Sequence, residues 1–248
     1  LTMHGTMIRT IYIIILIYFA LGGVGFYLIN RRKTPEAARE SYVKFGTYFL
    51  IINLLFFSII LHTMAFRVLT VLIIIAGFTE LSTLFVRSER NNVPFFVCSL
   101  IIYTVFSILF FIFGAGTRDQ ILFAFLVLSI FDSFSQITGQ LWGHHKLVPA
   151  ISPGKTWEGL LGGVLISLFS AWLLSDLARD TMPEMIVFTI GIPAFAFFGD
   201  LLSSVYKRKY KVKDFNRLIP GHGGFLDRFD SLIAGGAWVA LYTMIMLH

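Results

Sequence analysis

Long apolar runs constrain this chain more than any motif in it. A hydrocarbon core about 30 Å thick takes about 20 apolar residues to cross as a helix. The 248-residue sequence reads as eight such runs, roughly 8–30, 45–63, 68–86, 93–114, 120–142, 159–176, 185–205 and 229–247. In lipid each backbone polar group must be satisfied within the protein, so runs of this kind predict helices. Charged residues make up 14% of the chain, against about 25% in a soluble domain, which leaves little material outside the membrane. The expected fold class is all-α, a polytopic transmembrane helical bundle of about eight spans. "FGDLLSS" interrupts the seventh run, so a ninth, re-entrant piece is the alternative. The first run is long enough to stay as a span. No repeat or linker divides the sequence, and residues 1–248 are expected to form one membrane domain. Cys98 is the one cysteine and lies in an apolar run, so it reads as a small buried hydrophobe.

The basic residues give the topology. Positive charge collects on cytoplasmic loops. The first loop holds Arg31, Arg32, Lys33, Arg39 and Lys44, the third Arg87 and Arg90, and the fifth Lys146 and Lys155. The seventh holds Lys207, Arg208, Lys209, Lys211, Lys213, Arg217 and Arg228. The second, fourth and sixth hold one each: Arg67, Arg118 and Arg179. The alternation puts the odd loops in the cytoplasm and both termini outside. A bacterial inner membrane fits, as does an organelle membrane.

Charges inside a bilayer are costly and mark function by default. Glu80, Asp132 and Asp200 lie within spans, and Glu158, Asp227 and Asp230 at the cytoplasmic mouths of spans six and eight. Nearly all this acid points at the face that carries the densest basic loop. For Glu80 an interhelical hydrogen bond or ion pair is an equally good reading. Asp227 and Asp230 are three apart and share a helical face. Hard oxygen ligands so arranged suit Mg²⁺, with a second cation as an option, rather than zinc. His144 and His145 are adjacent and would point apart on a helix, which argues against a metal pair.

The turn "GHGG" ahead of Asp227 lets backbone approach a ligand closely, and His222 within it can hydrogen-bond a phosphate. Upstream, a helical continuation of span seven would set Asp200 and Lys207 on one face, with Ser203 and Ser204 between them. In "GHHKLVPAISPGKTWEG", Ser152 and Pro153 read as a helix cap with proline in the first turn. That would leave the amides near Gly154 and Lys155 free for an anion, with Trp157 as an interfacial anchor. Carboxylates for metal, cations for phosphates and adjacent lipid together imply phosphoryl or nucleotidyl transfer to or from a lipid.

The stretch "SVYKRKYKVKDFNRLIPGHGGFLDRFD", Ser204 to Asp230, closely resembles the signature of phosphatidate cytidylyltransferases, the CDP-diacylglycerol synthases. The fixed positions of that pattern are matched by Ser204, Lys207, Arg208, Lys213, Asp214, Pro220, His222, Gly223, Gly224, Asp227, Arg228 and Asp230. "FGDL" with Asp200, "SPGKTWEG" from Ser152, and Asp132–Ser133 followed by Gly139 and Gly143 are also similar to family elements. The resemblance covers about 130–232, the expected catalytic half. Asn216, Tyr206, Ser203, Gln136 and Phe134 depart from the pattern, and none of them replaces a charged signature residue.

The resemblance implies transfer of a cytidylyl group from CTP to phosphatidate, giving CDP-diacylglycerol and pyrophosphate. It implies Asp200 and Asp227 as Mg²⁺ ligands, with Asp230 assisting. Lys207, Arg208, Lys213 and Arg228 would pair with phosphates, and His222, Gly223 and Gly224 would hold the triphosphate. Ser152, Lys155, Asp132, Ser204 and Asp214 would complete the nucleotide site. The expected partners are CTP, phosphatidate or a related lipid phosphate, membrane lipids and a second copy of the chain, with no nucleic acid. The rival readings are cytidylyl transfer to an ether or polyprenyl lipid phosphate, an ion-coupled transporter and a non-catalytic lipid-binding scaffold. A transporter would carry its acids near the midplane. A CDP-alcohol phosphatidyltransferase would need an Asp-Gly motif, and the sequence contains no Asp-Gly pair.

Overall fold

The computed structural model of the protein describes residues 3–31, 34–89, 92–175, 182–216, 218–219 and 223–246. The described residues form eight long helices and one small hairpin. The helices are α1 (Met3–Asn30), α2 (Pro35–Leu61), α3 (Thr63–Arg87), α4 (Val93–Phe113), α5 (Arg118–Trp142), α6 (Trp157–Leu173), α7 (Met182–Lys209) and α8 (Leu226–Met246). The hairpin pairs β1 (Lys146–Val148) with β2 (Ser152–Thr156). Six of the helices, α2 to α5, α7 and α8, are long and apolar enough to cross a membrane. Leu50, Leu61 and Leu165 are 68%, 73% and 66% exposed, on surfaces that are stable only against lipid. The protein is an all-α polytopic membrane protein.

Two compact units are distinguished: residues 1–54 with 219–222, and 55–218 with 223–248. In the first, α1 and α2 meet antiparallel through aromatic rings. Phe19 sits edge-on to Phe49 at 4.9 Å and tilted against Phe45 at 5.7 Å, and the Tyr12 hydroxyl donates to Asn53 Oδ1 at 3.0 Å.

The second unit is built around α8, which packs against α7, α4, α5 and α3. Its run of small residues lets backbones approach closely, as membrane helix packing requires. A Cβ at Gly236 would lie 2.7 Å from the Phe113 ring, and one at Gly199 of α7 would lie 2.7 Å from the Asp230 carbonyl. Gly199 therefore presses α7 onto α8 beside Asp230 and sets Asp200 next to it. The same device joins α5 and α6, where Gly159 and Gly163 face Ser135 and Phe131. α7 runs unbroken through "FGDLLSS" with Pro193 inside it, so the interruption foreseen in the seventh span does not occur. It closes on Lys211 at φ 58°. Val212 N donates to the Lys207 carbonyl and Lys211 N to that of Arg208, the paired bonds that end a helix through a left-handed residue.

The hairpin overturns one expectation. Ser152 and Pro153 do not begin a helix. They open β2, and Val148 pairs with Ser152 across the sheet. The cap of α6 is Thr156, whose Oγ1 accepts from Gly159 N at 3.1 Å. Thr156 is buried against Gly139 and Gly143, so the cap also serves the α5–α6 contact. Thr156→Val keeps the shape and removes the acceptor. The expected cost is about 1 kcal/mol, read as a lower thermal midpoint in micelles.

Candidate functional site

Five segments of the second unit converge: the C-terminal half of α5, the hairpin, the end of α7, the segment after it and the first turns of α8. The central pair is Lys207 and Asp227. Lys207 Nζ lies 2.6 Å from Asp227 Oδ1, and the two side chains are 10% and 2% exposed. Asp227 Oδ2 accepts from Phe215 N at 2.9 Å and Gly224 N at 2.8 Å. A buried charge of this kind needs both a partner and hydrogen bonds, and Asp227 has them. Lys207 also lies 5.4 Å from the Phe215 ring. The sequence reading set Lys207 in line with Asp200, but the lysine turns to Asp227 instead.

Asp200 has a different cation. Lys155 reaches from β2 to Asp200 Oδ2 at 2.6 Å and stacks over Phe197 at 4.2 Å. Ser204 Oγ is 3.4 Å from Asp200 Oδ1. Asp132 lies within electrostatic reach of Asp200, Asp230, Lys155 and Arg228. The three acids grade inward: Asp132 is exposed, Asp200 half-buried and Asp230 buried. Asp230 Oδ1 accepts from Ser231 N at 2.8 Å, and its Oδ2 is enclosed near the Ser203 hydroxyl with no closed hydrogen bond among the described residues. Ser203 is buried one turn below Ser204's neighbour Asp200, on the same helix.

This donor set is hard oxygen and includes an enclosed oxygen with no closed hydrogen bond among the described residues, which fits a hard divalent cation. Among the described residues no three His, Cys, Asp or Glu side chains already close on one point. Asp227 has both oxygens engaged, so as a ligand it would exchange Lys207 for the cation.

The remaining predicted residues fall at the rim. Arg208 is exposed and spends its guanidinium on backbone, Nε to the Ile151 carbonyl at 3.1 Å and Nη1 to the Val212 carbonyl at 2.9 Å, so it ties the hairpin turn to the end of α7. Lys213, Asp214 and Arg228 are exposed. Gly223 adopts φ +85°, where a side chain would be strained. His222 and Pro220 lie outside the described residues. His145 pairs with Glu158, Nδ1 to Oε1 at 2.6 Å, which closes the hairpin base onto α6.

Two further residues support the site, and for Glu80 the interhelical hydrogen bond is the reading that holds. Glu80 of α3 reaches the start of α8, accepting from Phe225 N at 2.8 Å and Leu226 N at 2.7 Å. Asn216, a departure from the family pattern, donates to the same carboxylate at 2.5 Å. The signal in the sequence was an acid toward the inner half of the third span.

Comparison with known proteins identifies the family of the chain. The cytidylyltransferase family matches residues 2–246. A phosphatidate cytidylyltransferase of Haemophilus influenzae is 35% identical over 133 residues, 51% of this chain and 46% of the relative. One from Staphylococcus epidermidis is 46% identical over 116 residues, 46% of this chain and 44% of the relative. One from Staphylococcus aureus is 40% identical over 129 residues, half of each chain. The chain spans about half the length of the curated relatives it matches. With a match running from one end of the sequence to the other, the chain belongs to the cytidylyltransferase family.

Proposed function

We propose that this protein transfers a cytidylyl group from CTP to phosphatidate at the cytoplasmic face of a bacterial inner membrane. A phosphate oxygen of phosphatidate attacks the α-phosphorus of CTP. The bond from that phosphorus to the oxygen bridging it to the β-phosphate breaks, and pyrophosphate leaves with the bond's electrons. The attacking oxygen is already ionised, so no general base is needed. The obstacle is the approach of two polyanions, and cations fixed in place lower it. The observation that carries the reading is the Ser204–Asp230 signature, with buried Lys207 and half-buried Lys155 each held by an acid at one end of the bundle. Relatives named phosphatidate cytidylyltransferase support the substrate class.

In this reading the incoming triphosphate draws Lys207 and Lys155 from their carboxylates, and Arg228 and Lys213 meet phosphate oxygens at the rim. Arg208 keeps the hairpin beside them. Asp200 and Asp230, with Asp132 beside them and Asp227 on exchange of its lysine, would hold Mg²⁺. Bound there, the ion would neutralise phosphate charge. A second copy of the chain belongs to the same proposal.

The test is pyrophosphate release by purified protein in micelles with CTP, Mg²⁺ and a lipid phosphate, with Asp200→Asn as control. Release that needs all three components and Asp200 is the expected result. Release with a polyprenyl or ether lipid phosphate but not with phosphatidate would move the acceptor. Silence across that panel would sink cytidylyl transfer.

A further inference from the structure

The first amides of α8 are the orphan donors of a helix start, and they begin at Gly224, one of the glycines expected to hold the triphosphate. They are occupied. Gly224 N donates to Asp227 Oδ2, and Phe225 N and Leu226 N donate to Glu80 Oε1 and Oε2. Two carboxylates, one local and one carried across from α3, thus take three consecutive amides. Glu80 is 4% exposed, and its Oε1 also accepts from Asn216, which in turn accepts from Leu218 N at 2.9 Å. The carboxylate therefore binds chain on both sides of the segment that joins α7 to α8. Gly224 makes room for it, since a Cβ there would lie 2.6 Å from Glu80 Oε1. Nearby, the Tyr206 hydroxyl donates to the Leu81 carbonyl at 2.8 Å, so α3 also anchors the turn of α7 that carries Lys207.

We infer that Glu80 is a positioning residue for the nucleotide site: through the α8 amides it fixes Asp227, and through Asp227 it fixes Lys207. This rests on the cytidylyl-transfer reading for its effect on CTP, while the clamp itself does not. An acid in the middle of an apolar span costs stability, and an apolar residue would fill the space. A carboxylate offers two acceptors to adjacent amides, which fixes the register of the helix start.

Glu80→Gln tests this, because it keeps the volume and one acceptor and turns a donor toward Leu226 N. Two readouts are taken on the full-length protein in micelles. Amide hydrogen exchange at Phe225 and Leu226 should speed up about tenfold. The KM for CTP should rise about tenfold, with the KM for phosphatidate within about twofold of wild type. Wild-type exchange at those amides would overturn the clamp. Faster exchange with an unchanged KM for CTP, or a lowered thermal midpoint alone, would overturn the positioning role. If Glu80→Gln fails to fold, Glu80→Asp decides: it keeps the charge but is one methylene shorter and draws the carboxylate back from the Phe225 and Leu226 amides, so exchange there should speed up and the KM for CTP should rise about threefold, wild-type values for both overturning the proposal. If wild type itself releases no pyrophosphate with any lipid phosphate, the functional reading has failed, and exchange at Phe225 and Leu226 alone upholds or overturns the clamp.

Discussion

Lys207→Met should cost about 3–5 kcal/mol of stability, because it strands the Asp227 carboxylate in a buried site with nothing opposite its Oδ1. The double variant Lys207→Met/Asp227→Asn should recover part of that loss, since it removes the unpaired buried charge and keeps an amide oxygen to accept from Phe215 N and Gly224 N. Turnover should separate from stability. We expect CTP-dependent pyrophosphate release to fall at least 100-fold in the single variant and to stay low in the double. Unfolding in a graded detergent series, run beside the activity assay, measures both. A double variant that regains activity with its stability would reduce the pair to a packing element.

Asp230→Asn should act the other way round. Asp230 sits within electrostatic reach of Asp200 and Asp132, with one oxygen enclosed and no closed hydrogen bond to it among the described residues. Removing one of three neighbouring acids relieves their mutual repulsion. In the absence of divalent ions the thermal midpoint should hold or rise. Turnover should drop at least 100-fold, and the rise in midpoint expected when Mg²⁺ binds the folded wild type should be lost. A variant that keeps its Mg²⁺-dependent stabilisation would remove Asp230 from the cation site.

The helices were legible because each depends on a local property, a stretch of apolar residues long enough to span. Their ends were less so. α2 begins at Pro35 and α7 continues to Lys209, well past the apolar runs, because charged turns remain helical where water meets the chain. The hairpin was not legible: Ser152, Pro153 and Gly154 carry the local signals of a cap or turn, and only the pairing with Lys146–Val148 makes a strand of them. Among site residues, their gathering at one end of the bundle could be read from the charges, but partnership could not. Asp227 meets Lys207 across 20 positions and Asp200 meets Lys155 across 45, and spacing along one helix suggested a different pairing. Glu80 is the clearest case, since an acid in a span announces only that some partner exists.

Gly199 contributes no functional group, yet it governs the distance between two acids on different helices. Adding even a methyl group there would push against the Asp230 backbone and the Ala234 side chain, and Asp200 would move with it. The tolerance of this protein to substitution should therefore be least at a position that touches no substrate. Screens that search for activity by changing charged residues would pass over it, and random variation of α7 should find it at once.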